Sequence, residues 1–429
     1  MEQARKANFD FIQARVFYGW MIVAVATLAM FSSGPGQSHT FSIFVDLIAD
    51  DLGISTTSIA SAYAFATLIA AFGLTRMGRF VDRYGPRKVL AVVAILLGFA
   101  CMFFGAASGV ITLSLAFMTL RFFGQGSMML GATNLVAQWF SARRGFAMSI
   151  LMLGFSASMA AHPALGQWLI DQVGWRQAWT WMGVITWVSV VPMIWFFTYS
   201  TPETLGLRPD GAAAPPPQAD GSAAAETTTG LPLKAALRTP AFWIVGSGLF
   251  TTAMLITSLF FYQVSIFDQQ GLEPDTAANM FAVSALMMAF AMPVIGRCLD
   301  RFNPKYTFAC ALTLLAGCLV GITFVVDHTT AVLYALAFGV LVGANMTLFG
   351  FLWAHYFGRK SLGSIQGVGQ ASGIIGASVG PLPLGIAFDY FGTYNGALHL
   401  SAALPLAVAV VALFLVRPKH EGEEDAQQP

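Results

Sequence analysis

Twelve runs of mostly apolar residues constrain the fold of this chain more than any other feature. A helix needs about 20 such residues to cross a bilayer, and the runs reach that length. Run length favours helices over the strands of a membrane barrel, which alternate over about 10 residues. Numbered in chain order as spans 1 to 12, the runs have approximate cores at 17–44, 56–77, 88–108, 112–136, 147–169, 178–198, 241–267, 277–295, 306–326, 331–354, 364–388 and 396–416.

Charged residues are too scarce for a soluble protein of this size. The 429 residues include 22 basic and 21 acidic ones, so that 10% of the chain is charged, against about 25% in an ordinary soluble domain. This composition excludes a secreted enzyme, a nucleic-acid-binding protein and a disordered scaffold. The four cysteines have no framework spacing, and we expect no disulfide, no metal site and no cofactor.

The middle of the chain separates two groups of six spans. Residues 201–239 contain the sequence GAAAPPPQADGSAAAETTTG, which is rich in Pro, Ala and Gly and predicts a flexible linker. The predicted organisation is therefore all-α. It comprises an N-terminal half at 17–200, this linker, a C-terminal half at 240–417, and short cytoplasmic tails at 1–16 and 418–429.

Basic residues predict how the chain is oriented in the membrane. If the N-terminus is cytoplasmic, 20 of the 22 Lys and Arg residues lie in cytoplasmic segments, as the positive-inside rule describes. The exceptions are Arg176, in a loop on the outer side, and Arg121, within span 4. We expect a multi-pass protein of the plasma (inner) membrane with both termini in the cytoplasm.

The two halves repeat the same residues at an offset of 218 positions. Residues 78–84 (GRFVDRY) match residues 296–302 (GRCLDRF). Three further positions keep that offset, with Pro163, Asp171 and Gly174 matching Pro381, Asp389 and Gly392. Two parallel repeats, each with an even number of spans, predict halves related by an axis along the membrane normal, with a cavity between them.

A signature between spans 2 and 3 resembles that of a known family. The pattern Gly-x-x-x-Asp-Arg-x-Gly-x-Arg is similar to the loop 2–3 signature of the major facilitator superfamily. It comprises Gly78, Asp82, Arg83, Gly85 and Arg87, with a weaker copy at Gly296, Asp300 and Arg301. The resemblance implies twelve helices in two pseudo-symmetric halves and transport by alternating access, with this loop as a gating latch between the halves. Independently of the family, an Asp at this position can cap a helix end.

A second resemblance, at the start of span 5, indicates a branch of that superfamily. Phe140, Arg143, Ala147 and Gly154 match a pattern of the monocarboxylate porters and their bacterial oxalate/formate-exchanger relatives. The resemblance implies an organic anion, such as a monocarboxylate, as the solute. The charged anchors of that branch are absent, because their positions hold Met288, Met292 and Gln370. A neutral, partly aromatic solute is therefore the alternative, and a non-transporting sensor on the same fold is a third hypothesis.

Ionisable residues inside the spans are functional candidates, because a charge in hydrocarbon costs roughly 2.5–3.5 kcal/mol on insertion scales. Arg121 is the clear case, and it is either an anion anchor or a structural residue bound to backbone carbonyls near Gly124 and Gly126. No Asp or Glu falls inside a predicted span. His39 and His162 are therefore the candidates for a proton site, although a hydrogen bond to a neighbouring helix is the commoner role of a lone buried histidine.

The family resemblance implies that spans 1, 4, 7 and 10 line the cavity. Their polar residues, with the anchor positions of spans 8 and 11, give the candidate substrate site: Gln37, His39, Arg121, Gln125, Tyr262, Gln263, Met288, Met292, Asn345 and Gln370. Packing against neighbouring helices is the alternative role for these residues, but a lipid-facing amide would be unfavourable.

The expected partners follow from this interpretation. They are a small-molecule solute, the lipid bilayer, and a proton or a counter-transported anion. The sequence has no Walker motif for ATP, no metal cluster, and no nucleophile placed with a base. We therefore expect a monomeric transporter, neither an enzyme nor a nucleic-acid-binding protein.

Overall fold

The computed structural model describes most of the chain and places it almost entirely in helices. No strand occurs in the described ranges beyond an isolated bridge between Gly230 and Gly358. The described residues are 16–41, 44–54, 56–211, 230–272 and 274–418, together with Phe9 and Gln13.

The N-terminal half contains spans 1 to 6. Span 1 is broken into the α-helix Gly19–Phe31, the 3₁₀ turn Gly34–Gly36 and the short helix Ser38–Phe41, and the helix Val45–Leu52 follows it. Spans 2 and 3 are the helices Thr56–Tyr84 and Pro86–Gly105. Span 4 is α-helical over Val110–Leu120 and Met129–Trp139, with π-helical turns between them over Arg121–Met128. Spans 5 and 6 form the element Arg144–Phe197, which turns at Gly174, where φ is 76°.

The C-terminal half contains spans 7 to 12. Spans 7 to 10 are the helices Pro240–Gln269, Pro274–Arg301, Pro304–Gly321 and His328–Phe357. Span 11 consists of Leu362–Val379 followed by Pro381–Phe391, and span 12 is Asn395–Ala412. Between the halves lie the 3₁₀ turns Pro202–Leu205 and Pro209–Gly211 and the short helix Leu233–Ala236.

These helices confirm the predicted fold class. Eight of the described helices are long and apolar enough to cross a membrane by length and composition. Dividing Arg144–Phe197 at Gly174 and joining the pieces of spans 1, 4 and 11 gives helical segments among the described residues that fit the twelve predicted spans. The protein is an all-α membrane protein.

The turns that carry the repeated signature begin spans 3 and 9 in related ways. Gly85, with φ at 83°, precedes Pro86 at the start of span 3. Asn303, 218 positions later, precedes Pro304, and its side-chain oxygen accepts the backbone N–H of Lys305 at 3.2 Å. Proline suits the first position of a helix because its missing N–H would have no partner there. We call the end of the bundle that carries these Arg- and Lys-bearing turns the basic end.

The break in span 1 packs directly on span 4. A Cβ atom at Gly36 would lie 2.6 Å from the Cα of Gly124 and 2.5 Å from the carbonyl oxygen of Leu120. Such contacts are too short for any side chain, so glycine is required for this close approach of two backbones. The approach holds the residues that follow, Gln37 and His39, at the centre of the bundle.

Candidate functional site

A cavity of about 470 Å³ lies between the two halves. Residues of spans 1, 4, 5, 7, 8, 10 and 11 form its wall, a wider set than the four spans that the family resemblance implied. Its polar lining consists of Gln37, His39, Gln125, Thr257, Ser284, Asn345 and Gln370. The larger apolar side chains in the wall are Phe155, Phe260, Phe281, Phe349, Met129, Met159, Met288 and Met346. No Lys, Arg, Asp or Glu is among the described residues that line the cavity.

The cavity brings together six of the ten candidate substrate residues: Gln37, His39, Gln125, Met288, Asn345 and Gln370. The other four, Arg121, Tyr262, Gln263 and Met292, are not among the described lining residues. Gln263 and Met292 are fully buried in helix packing. Tyr262 stacks at a tilt on Tyr394, with 5.1 Å between the ring centroids.

Arg121 lies behind the cavity wall, under the break in span 1. Its Nη1 donates a hydrogen bond to the carbonyl oxygen of Gly36 at 3.1 Å. Its guanidinium carbon is 4.8 Å from the centroid of the Tyr63 ring, a distance at which a cation–π contact is favourable. The side chain is 6% exposed. The bond to a backbone carbonyl is the contact expected of a structural arginine, and it also places the positive charge next to the backbone that carries Gln37.

The amides of the cavity wall join the two halves at one point. Nε2 of Gln370, in span 11, donates to the backbone carbonyl oxygen of Gln125, in span 4, at 3.3 Å. This bond turns the side-chain oxygen of Gln370 away from that carbonyl. The side-chain oxygens of Gln370 and Gln125 have no hydrogen-bond partner in the described part of the chain. The hydroxyl of Thr252, in span 7, donates a hydrogen bond to Oδ1 of Asn345 at 2.7 Å.

The two candidate proton-site histidines are linked through one serine. Nε2 of His39 lies 3.3 Å from Oγ of Ser158, and this Oγ lies 3.1 Å from Nδ1 of His162. His39 lines the cavity, whereas His162 is 5% exposed and packs against the Phe31 ring at 4.8 Å between centroids. Ser158 can donate to one ring and accept from the other, so the three side chains form a continuous hydrogen-bond path away from the cavity.

At the basic end, Asp82 joins span 2 to the first turn of span 11. Its carboxylate accepts the backbone N–H groups of Gly363 and Ser364 at 2.7 and 2.8 Å, and the hydroxyl of Ser364 as well. These N–H groups have no partner within their own helix, and the positive end of the helix dipole favours an anion there. Asp82 therefore caps a helix of the opposite half.

Asp300 makes the same contact in the reverse direction. Its carboxylate, at the end of span 8, accepts the backbone N–H groups of Gly145 and Phe146 at 2.6 and 2.9 Å. Gly145 and Phe146 lie in the first turn of span 5, and they precede Gly363 and Ser364 by 218 positions. The two Asp contacts are therefore related by the pseudo-symmetry of the halves. We call them the paired latch.

Glycines allow the helices of the paired latch to touch. A Cβ at Gly78 would lie 2.1 Å from the carbonyl oxygen of Gly363, and a Cβ at Gly145 would lie 2.4 Å from that of Gly296. No other residue fits at such a distance. Gly78 and Gly296 belong to the repeated signature, so the signature provides both the carboxylate and the flat surface on which the opposite helix end rests.

Further polar contacts surround the paired latch. Arg359, between spans 10 and 11, donates through Nε to Oε1 of Gln138 at 2.9 Å and pairs with Glu203 at 2.8 Å. The guanidinium carbon of Arg297 lies 4.3 Å from the centroid of the Phe146 ring. In the described part of the chain, the hydrogen bonds between the two halves lie at the basic end, apart from the bond between Gln370 and Gln125.

The sequence analysis did not identify several residues of the cavity and of the paired latch. The partners of the aspartates could have been found, because Gly145 and Gly363 are separated by the same 218 positions as the signature. Ser158 stands four residues before His162, which places both on one helix face. The cavity residues of span 5, Phe155 and Met159, carry no such signal in the sequence.

Comparison with protein families decides the identity of the fold. Residues 26–274 and 257–429 match the family model described as Major Facilitator Superfamily. The chain belongs to this superfamily. The resemblance found in its signature is thereby confirmed, and it extends over both halves.

Three transporters are similar to this chain over shares of its length that range from about half to nine tenths. The gallate transporter of Pseudomonas putida is 24% identical over 418 residues, which cover 91% of each chain. The oxalate:formate antiporter of Oxalobacter formigenes is 24% identical over 237 residues, which cover 55% of this chain and 52% of that one. The crystal structure of the human organic anion transporter MFSD10 has a TM-score of 0.67 at 15% identity, covering 92% of this chain and 99% of that chain.

Proposed function

We propose that the protein moves a small organic anion across the membrane by alternating access between its two halves. The observation that carries this proposal is the cavity of about 470 Å³ between the halves, closed at one end by the paired latch. A gallate transporter and an oxalate:formate antiporter among the similar proteins support an organic anion as the solute. No step of this function needs covalent chemistry, and we assign no enzymatic activity.

An aromatic carboxylate suits the cavity best. Phe155, Phe260, Phe281 and Phe349 offer ring faces and edges to an aromatic solute, and such ring pairs are favourable at centroid separations of 4.5–7 Å. Amide and imidazole groups in the same wall can donate to a carboxylate. The unpartnered side-chain oxygens of Gln125 and Gln370 are acceptors, so they favour a solute that also carries hydroxyl groups.

The negative charge of such a solute would be balanced by Arg121, which lies behind the cavity wall. Arg121 holds the carbonyl of Gly36, one residue before the cavity residue Gln37, and a buried charge is screened much less than an exposed one. We assign Arg121 the role of setting a positive potential in the cavity without touching the carboxylate. The lack of a charged side chain among the described lining residues keeps a neutral aromatic compound as the second candidate solute.

The basic end is assigned to the cytoplasm, together with both termini and the linker at 201–239, in a plasma (inner) membrane. Arg83, Arg87 and Arg301 lie in the last or first turns of helices at this end, and Arg359 lies between spans 10 and 11, in agreement with the positive-inside rule. The conformation described is then closed to the cytoplasm by the paired latch. The paired latch has to separate when the solute is released inward.

We assign a proton as the coupling ion, taken up together with the solute, because the negative charge of the carboxylate offsets the positive potential of Arg121 at His39. His39 is the one titratable side chain among the described lining residues. Through Ser158 it can pass a proton to His162, while Arg121 and Tyr63 lie on the neighbouring spans 4 and 2. We assign the path from His39 to His162 as the proton site of a symporter.

Uptake by the purified protein in proteoliposomes tests the solute. We expect saturable uptake of labelled gallate, inhibited by unlabelled gallate but not by its methyl ester, because the ester has no charge to interact with the potential of Arg121. Replacement of Arg121 with Gln should raise KM for gallate roughly tenfold, which corresponds to the loss of about 1.4 kcal/mol.

Arg238→Gln is the matched control, because it removes an exposed arginine that precedes span 7 and is not among the described residues that line the cavity. It should leave KM as in the wild type. Equal inhibition by gallate and its ester would favour the neutral solute, and uptake of neither compound would reject both.

The paired latch is tested by comparing three aspartates that all cap helix ends. Asp82→Asn and Asp300→Asn should each weaken the closed state at the basic end by up to roughly thirtyfold, since a carboxylate at a helix N-terminus contributes up to about 2 kcal/mol. Turnover should change in both variants, measured as the rate of gallate exchange at saturation.

Asp327→Asn is the control for this comparison. Asp327 caps the helix His328–Phe357 of its own half by accepting the N–H of Thr330 at 2.7 Å, so its replacement should leave turnover unchanged. Equal rates in all four proteins would contradict a gating role for the signature.

Proton coupling is tested with an imposed pH gradient. His39→Gln and Ser158→Ala should abolish the extra gallate uptake that an acidic exterior produces, because each interrupts the path to His162, yet gallate exchange at equal pH should persist. His399→Gln should retain gradient-driven uptake, since His399 contacts Thr323 at 3.0 Å and lies outside the cavity wall. Gradient-driven uptake that survives His39→Gln would disprove the assignment.

A further inference from the structure

Two fully buried glutamines, Gln263 in span 7 and Gln366 in span 11, have side chains without hydrogen-bond partners in the described part of the chain, and Gln366 is the one that lies close to the paired latch. Gln366, in span 11, is fully buried, and neither its Nε2 nor its Oε1 has a hydrogen-bond partner in the described part of the chain. Burying an amide without partners is unfavourable, so such a group in a folded protein calls for a function in another state or with a ligand.

Its position along span 11 lies between the latch and the cavity. Gly363, three residues earlier, donates its N–H to Asp82, and Gln370, four residues later, lines the cavity. With a rise of about 1.5 Å per residue, Gln366 lies roughly 6 Å beyond Gln370 toward the basic end. A Cβ at the next residue, Gly367, would lie 2.6 Å from the carbonyl oxygen of Leu74 in span 2, so at this level span 11 is sealed against the other half.

Gln366 also lies on the face of span 11 that fronts the cavity. The lining residues of this helix are Gln370, Gly373, Ile374 and Ala377. At about 100° per residue, these four cover an arc of roughly 100°, and Gln366 falls inside that arc. The lining face therefore continues past the floor of the cavity, and Gln366 is its next polar residue on the way to the basic end.

The corresponding residue of the other half is not polar. Met148 stands 218 positions before Gln366, and it is also fully buried. The amide at this level is thus present in one half only. The paired latch is symmetric, so its contacts give no reason for an amide in one half alone. A solute that leaves the cavity toward the basic end would pass this single amide.

We propose that Gln366 is a second contact for the transported organic anion, hidden in this conformation and exposed when the paired latch separates. Its amide N–H would donate to the carboxylate as the solute moves from the level of Gln370 toward the basic end. This inference rests on the proposed function, because it assumes that a solute crosses the cavity.

The test compares the two faces of the membrane. Gallate uptake is measured in proteoliposomes of defined orientation, with the solute supplied either at the basic end or at the opposite end. Gln366→Leu should raise the half-saturation concentration at the basic end by roughly tenfold and leave the value at the opposite end within twofold, since a hydrogen bond to a charged group is lost on one side only.

Asn134→Leu is the matched control. Asn134 is 1% exposed, and its Nδ2 has no partner in the described part of the chain. It stands five residues after the cavity residue Met129, which places it about 140° away from that residue around the helix Met129–Trp139. Removal of this buried amide should change neither half-saturation value. A Gln366→Leu protein with two unchanged values, or with two equally raised values, would overturn the proposal.

A second measurement needs no solute. In a chain whose four native cysteines are replaced by alanine, Gln366→Cys should resist a water-soluble maleimide and become reactive when Asp82→Asn and Asp300→Asn are added. Absence of labelling in the latch variant would show that Gln366 does not reach the open path. If the wild type moves no gallate, the proposed solute is wrong, whereas the labelling result still decides whether Gln366 becomes exposed.

Discussion

The contact between an aspartate of one half and a helix end of the other is the interaction on which the rest of the structure depends. Asp82 and Asp300 each accept two backbone N–H groups from the first turn of a helix in the opposite half. Those N–H groups have no partner in their own helix, and the helix dipole adds to the attraction. Because both contacts lie at the basic end, the halves are joined there, and the central cavity is closed on that side.

The chemistry of this contact is suited to a joint that must open. The carboxylate and the freed N–H groups lie at the end of the bundle, where water can hydrate them after separation. The glycines of the interface leave no interlocking side chains to withdraw, since the backbones of Gly78 and Gly363 meet directly. A deeply buried salt bridge would cost several kcal/mol to break, so the paired latch permits a change of conformation that such a bridge would oppose.

The positive charge nearest the cavity in the described part of the chain, that of Arg121, lies outside the cavity lining. Its described wall is made of amides, an imidazole, small hydroxyl groups and aromatic rings, while the guanidinium of Arg121 lies behind the break of span 1. With the role proposed for Arg121, this arrangement would let the chain lack the charged anchors of related porters and still favour an anion. It also makes the site tolerant of an aromatic body, which a ring of charged side chains would exclude.

The sequence predicted the fold well because the bilayer imposes a length on every helix. The repeat predicted the two halves, and it placed Asp82 at a helix end without identifying which helix. Arg121 shows what could not be predicted. Which face of span 4 meets the cavity depends on packing, and the π-helical turns over Arg121–Met128 break the 3.6-residue period on which such a prediction relies. Gln366 needed the structure as well, because its significance lies in the lack of hydrogen-bond partners among its described neighbours.

The central claim is that the paired latch holds the basic end closed and separates during transport. Spin labels are attached at Tyr84→Cys and Phe302→Cys, two exposed and pseudo-symmetric positions at that end. Double electron–electron resonance then measures the distance between the labels, and hence the separation of the halves. The account predicts one short distance in the parent protein and a second, longer population when Asp82 and Asp300 are both replaced by Asn. An unchanged single distance in the double variant would contradict it.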